Sequence, residues 1–91
     1  MGDLLRACDD LALVRIDGDD LMRWAATARR LEAVSPVVSA TVNSLHGNRC
    51  HGSLARCADA ARFAAEIADE PERTIAIALA EDFERHAMQG H

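Results

Sequence analysis

Residues 45–57, "LHGNRCHGSLARC", contain the side chains of this sequence that are best suited to chemistry. Two of the three cysteines and two of the four histidines fall within this stretch. Thiolate sulfur and imidazole nitrogen are preferred ligands of zinc, and a thiolate is also a nucleophile and a redox centre. One hypothesis is therefore a metal-dependent or thiol-dependent site formed by His46, Cys50, His51 and Cys57.

The same stretch also has the composition of a turn between two helices. Its spacing, His46-x3-Cys50-His51-x5-Cys57, lacks the close cysteine pairs of common zinc sites. Gly47, Asn48 and Gly52 are residue types that tolerate tight backbone geometry, and Cys57 falls on an apolar helix face, where a free thiol behaves as a small hydrophobe. We favour the turn, and we predict neither a metal nor another cofactor.

Catalysis finds little support in the remaining polar residues. Cys50 and His51 are adjacent in sequence, and adjacent side chains usually diverge, so the pair is no evidence of a nucleophile with its base. The acidic pairs Asp9-Asp10, Asp19-Asp20 and Glu81-Asp82 are typical of solvated faces and helix starts. Because the chain also lacks a phosphate-binding glycine loop and a G-x-S-x-G motif, we predict that it is not an enzyme.

Residues 17–45 carry the strongest periodic pattern and predict a first helical arm. Asp17 is a candidate N-cap. Apolar residues then recur at steps of three and four, with one polar gap at Ser35, as in a coiled-coil seam. Pro36 either kinks one long helix or begins a second one, and we favour a kinked or closely continued helix. We expect the seam to form an interface with a second chain through Leu21, Trp24, Ala28, Leu31, Val38, Val42 and Leu45.

Residues 53–89 predict a second arm, which a turn over 46–52 joins to the first. Gly47 stands where a helix C-cap belongs, and Ser53 is a candidate N-cap of the second arm. Phe63 and Ile67 form an i, i+4 pair beside its apolar face, and Pro71 marks a break. Residues 1–16 predict a lead-in with a short helix at about 3–12 and an extended segment at 14–16.

Composition indicates one small all-α domain over residues 1–91. Hydrophobic residues make up 49% of the chain but aromatic residues only 3%, and eighteen residues are alanine. Small side chains let helices approach closely while each buries little surface. A chain of this length also forms only a marginal core. We therefore predict a helical hairpin or small bundle with two proline-interrupted arms, completed by dimerisation.

Charge and hydropathy argue against several classes of partner. The net charge is −5 and the arginines are scattered, whereas nucleic-acid binding needs concentrated positive charge. No apolar run approaches the roughly 20 residues that cross a bilayer. Three cysteines cannot all pair within one chain, which favours reduced thiols. We expect a cytoplasmic protein with a protein partner and with neither nucleic acid nor a membrane span.

The layout resembles a known family of small helical-hairpin proteins. About ninety Ala-rich residues without lysine, the acidic lead-in "VRIDGDDLMRWA" and two arms around a glycine turn are similar to the WXG100 and EspC-like proteins of actinobacterial type VII secretion. Leu45-His46-Gly47 stands where the family carries W-x-G, and the tail "EDFERHA" lacks the tyrosine of the usual export signal. The resemblance implies a paired four-helix assembly and export by that route.

Two functions from different classes follow from the sequence. The first is a non-enzymatic helical interaction module, an adaptor or secretion-associated protein, that acts as a homodimer or with a helical partner. The second is a small metal-dependent or thiol-dependent regulator that uses the cysteines and histidines of residues 46–57.

Overall fold

A computed structural model describes residues 16–47 and 51–89, with the backbone alone at His51 and Gln89. Four helices follow one another within these ranges: α1 (Gly18–Arg30), α2 (Pro36–Ser44), α3 (His51–Ile67) and α4 (Glu72–Gln89). The described residues contain no strand, and the predicted all-α class is confirmed. None of the helices in these ranges is both long enough and apolar enough to cross a bilayer.

Helix α1 begins where the acidic residues predict. Asp17 is the N-cap residue in extended conformation, although its side chain makes no capping hydrogen bond. Asp19 and Asp20 lie in the first turn and Arg29 and Arg30 in the last, so the charges oppose the partial charges of the helix ends. The predicted helix at about 3–12 and most of the extended segment at 14–16 lie outside the described residues.

The first arm is interrupted at Pro36 as predicted, but the favoured kinked or closely continued helix is wrong at residues 31–35. Helix α1 ends at Arg30, a turn spans 31–34, and Ser35 is the extended N-cap of a separate α2 that has Pro36 in its first turn. Proline fits the first turn because its missing N–H has no intrahelical acceptor there, and it keeps the preceding residue out of helical geometry. The apolar residues keep their spacing across Pro36 because both helices pack on the same core, and not because one helix continues.

The predicted turn between the arms is shifted in the structure. Helix α2 ends at Ser44 and Leu45 is its C-cap, so Gly47 lies two residues further on, without a positive φ. Helix α3 already begins at His51, which places Gly52 and Ser53 inside its first turn and not before it. Glycine is costly mainly in the middle of a helix, and serine is favoured near helix N-termini, so the first turn tolerates both.

Helices α3 and α4 form the most extensive contact of the described chain and run antiparallel. Their connection, residues 68–71, contains Pro71, so the predicted break in the second arm is confirmed. The Glu70–Pro71 peptide bond is cis. The buried faces of the two helices are rich in small residues: Ala58, Ala60, Ala61, Ala64, Ala65, Ala76 and Ala80. The alanine side chain is a single methyl group, so the backbones of α3 and α4 can lie close together.

The seam that we expected to contact a second chain lies instead in the core of this chain. Its members are at most 5% exposed: Leu21, Trp24, Ala28, Leu31, Val38, Val42 and Leu45. They belong to one cluster of buried residues with Leu54, Leu79 and Phe83 from the second half of the chain. Steps of three and four mark any helix with one apolar face, so the spacing does not distinguish an internal partner from an external one.

Candidate functional site

The residues of the proposed metal or thiol site do not share one environment. His46 is exposed on the turn after α2, whereas Cys57 is fully buried in α3. Cys50 and the side chain of His51 lie outside the described part of the chain. Within the described residues, no three His, Cys, Asp or Glu side chains are arranged to hold a metal ion.

Cys57 joins α3 to α2 as a packing residue. Its Sγ donates a hydrogen bond to the backbone oxygen of Thr41 at 3.3 Å. Burial raises the pKa of the Cys57 thiol to about 11, and hydrogen bonding from the Thr41 side chain offsets only part of that rise. A buried thiol with a high pKa supplies little thiolate near neutral pH, so the environment of Cys57 opposes nucleophilic or metal-binding chemistry.

The most connected polar site of the described chain lies between α1 and α4, where two similar segments face each other. "DLMRW" (20–24) in α1 and "DFERH" (82–86) in α4 share the pattern D-x-x-R-aromatic. Spacings of three and four place the aspartate, the arginine and the ring on one helix face. Within each segment the arginine forms an ion pair of 2.9 Å with its own aspartate. The helices run antiparallel here, so each ring meets the aspartate of the other segment.

The two cross-contacts are reciprocal. Trp24 Nε1 donates to Asp82 Oδ2 at 2.7 Å, and His86 Nε2 lies 3.2 Å from Asp20 Oδ2. The Trp24 and His86 rings also meet edge to face, with centroids 4.9 Å apart. Each helix therefore places a ring nitrogen against an aspartate of the other helix.

Asp82 is the most heavily hydrogen-bonded carboxylate of this contact. Oδ2 accepts from Arg23 as well as Trp24, and Oδ1 accepts from Arg85. Burial raises the pKa of Asp82, but the hydrogen bonds from Trp24 and Arg85 and the charges of Arg23 and His86 outweigh this effect, so the pKa of Asp82 lies below its usual range. Asp82 is thus a charged, partly buried partner of α1, and its assignment to a solvated acidic face is wrong.

Trp24 combines core packing with this polar contact. Its ring is tilted by 60° against the Phe83 ring at a centroid distance of 4.8 Å, and it is 1% exposed. The sequence predicted its burial but not its hydrogen bond. A buried indole N–H usually has an acceptor, and the repeated D-x-x-R-aromatic pattern points to Asp82 only if α1 and α4 are taken to be antiparallel neighbours.

A pair of large apolar side chains lies outside the core. Phe63 and Ile67 occupy successive turns of α3 and are 54% and 53% exposed. The other two aromatic residues of the chain, Trp24 and Phe83, are buried. The sequence placed Phe63 and Ile67 beside the apolar face of the arm. The structure shows that neither α2 nor α4 covers them.

Comparisons with known proteins identify no relative of this chain. Protein-family models, curated proteins and solved structures all give no match.

Proposed function

We propose that this protein is a helical protein–protein interaction module that associates through the exposed side of α3. The observation that carries the proposal is the exposure of Phe63 and Ile67 by more than half, on adjacent turns of a helix whose opposite face is packed. Complete burial of a large apolar side chain contributes about 1.5–3 kcal/mol, so covering the exposed half of each of these two contributes roughly half of that. An aromatic residue and a branched aliphatic residue together provide a hydrophobic centre for an interface.

The proposed partner is a second copy of this chain. In an antiparallel pair of α3 helices related by a two-fold axis near residue 65, Phe63 of one copy would pack against Ile67 of the other. A two-fold interface uses the same patch on both subunits and needs such self-complementarity. The resemblance to the WXG100 and EspC-like proteins, which pair as helical hairpins, agrees with this arrangement. Secretion by the type VII route is part of the same proposal.

Sedimentation of the whole chain over a range of concentrations tests this proposal. We expect the wild-type protein to sediment as a dimer and Ile67→Asp to weaken association by about tenfold or more, because a carboxylate would be buried without a partner. The matched control is Met88→Asp, which replaces a side chain that is 74% exposed on α4. It should leave the mass unchanged.

Circular dichroism separates loss of association from loss of folding. Both variants should keep the helical spectrum, since both replaced side chains are mostly exposed. A wild-type monomer at all concentrations, or an Ile67→Asp variant that dimerises as well as the wild type, would contradict the proposal. A dimer that Met88→Asp disrupts would place the interface on α4 instead.

A further inference from the structure

The hydrogen-bond partners of His86 are all acceptors. Its Nδ1 lies 3.0 Å from the backbone oxygen of Asp82 and 3.4 Å from Asp82 Oδ1. Its Nε2 lies 3.2 Å from Asp20 Oδ2. Neither a carbonyl oxygen nor an ionised carboxylate can donate a hydrogen bond, so both ring nitrogens have to act as donors for every contact to be satisfied.

Neutral imidazole cannot meet this requirement. It carries one N–H, and its other nitrogen is an acceptor. If the hydrogen is on Nε2, the Nδ1 lone pair faces the carbonyl of Asp82. If it is on Nδ1, the Nε2 lone pair faces the carboxylate of Asp20. Only the imidazolium donates on both sides, and it adds a positive charge between two aspartates.

The Trp24 contact shows what is different about His86. The two rings occupy corresponding positions of the reciprocal contact, but indole always carries its N–H and never becomes an acceptor there. The Trp24–Asp82 half of the contact therefore persists across the neutral range. The His86–Asp20 half depends on whether the imidazole carries a second proton.

We propose that the reciprocal contact is a proton-dependent latch, in which protonation of His86 completes the attachment of α1 to α4 through Asp20. The charged groups that face His86 are Asp20 and Arg23 from α1 and Asp82 and Arg85 from α4. Within the described residues, no hydrogen bond or ion pair joins His86 to α2 or α3. Protonation of His86 therefore acts on the attachment of α1 and not on a polar contact between α3 and α4.

The test measures the folding equilibrium constant by urea unfolding at pH 8 and at pH 5.5. We expect the wild-type constant to increase roughly three- to tenfold on acidification, the range of one additional hydrogen bond. Asp20→Asn should abolish most of this increase, because an amide can donate to neutral Nε2 or accept from the protonated ring. His86→Gln should abolish it as well.

His46→Gln is the matched control, since His46 is exposed on the turn after α2. This variant removes a histidine that is not part of the latch, so the increase of the folding equilibrium constant on acidification should persist. An equal increase in the wild type and in Asp20→Asn, or an increase that disappears in His46→Gln, would overturn the proposal.

Hydrogen exchange of the wild-type protein supplies a second readout that needs no variant to fold. After correction for intrinsic rates, the amides of α1 should gain severalfold more protection between pH 8 and pH 6 than those of α3. Equal gains in both helices, or no gain in α1, would overturn the proposal too.

Discussion

Helix α1 contacts α4 through large and polar side chains, whereas α3 contacts α4 and α2 mainly through small ones. The first contact combines the Trp24 ring against Phe83 with the hydrogen bonds of Asp82. The second combines alanines with the buried thiol of Cys57. The buried part of the first contact depends on direction and charge, whereas the buried part of the second depends on the volume between two helices, with the Arg62–Glu84 ion pair at its exposed edge. Different changes should therefore weaken them.

The largest expected effect is at the centre of the α1 contact. Trp24→Ala should reduce the free energy of unfolding by about 3–5 kcal/mol, because it leaves a cavity against Phe83 and removes a donor from Asp82. Trp24→Phe should cost less, since it keeps most of the ring and loses mainly the hydrogen bond.

Urea unfolding followed by circular dichroism measures both variants, as Trp24 is the only tryptophan and its fluorescence is lost with it. Met22→Ala on the same helix is the control and should change stability little, because Met22 is exposed. A Trp24→Ala variant within 1 kcal/mol of the wild type would show that α1 contributes little to the fold.

An intermediate effect is expected from extra volume between α3 and α4. Ala80 is fully buried one turn before Glu84, whose side chain reaches Arg62 of α3. Ala80→Leu should reduce the free energy of unfolding by roughly 1–3 kcal/mol, because a close-packed face cannot accept the added atoms without shifting. Ala78→Leu, on the exposed side of the same helix, should be nearly neutral. Thermal unfolding of the two variants measures this difference. If Ala80→Leu were as stable as Ala78→Leu, α3 and α4 would not be closely packed at Ala80.

The smallest effect concerns pH and separates the two contacts by the pH range in which each responds. The pKa of Cys57 is raised from 9.0 to about 11 in the folded protein, so the unfolded chain loses this proton first as pH rises. The contribution is present below pH 9 and declines between pH 9 and 11, with a loss of about 1 kcal/mol at pH 10.

Urea unfolding at pH 8 and pH 10 measures that loss. Cys57→Ala should remove this part of the alkaline decline, whereas Cys50→Ala should keep it. The latch at α1 responds in the same direction, since its stabilising contribution also grows on acidification, but it does so between pH 8 and pH 5.5, below the range of the Cys57 thiol. If the free energy of unfolding of Cys57→Ala fell as much as that of the wild type between pH 8 and pH 10, the loss would have to come from other titratable groups.

Local sequence signals correctly located several helix ends and most of the core. Asp17 and Pro71 mark where α1 begins and where the second arm breaks, because capping and proline effects act within a few residues. The pattern also identified the buried residues of the seam. It left open whether Pro36 kinks a helix or begins one, since the apolar phase is the same in both cases.

The candidate sites were harder to derive from sequence. The cysteine- and histidine-rich stretch has a composition suited to chemistry, but Cys57, which the sequence placed on an apolar helix face, lies in the core. The α1–α4 contact was not predicted because its two segments lie about sixty residues apart in sequence. The repeated D-x-x-R-aromatic pattern indicates a contact only if the two helices are antiparallel neighbours.

The sequence by itself determined an all-α chain, the apolar face of each helix and the approximate breaks between them. These properties depend on residue spacing and backbone preference, which act locally. Only the tertiary structure decided that the seam packs inside one chain, that Phe63 and Ile67 remain outside, and that His86 faces two aspartates. Those outcomes depend on which helix faces lie next to each other, and apolar periodicity is the same for an internal partner as for an external one.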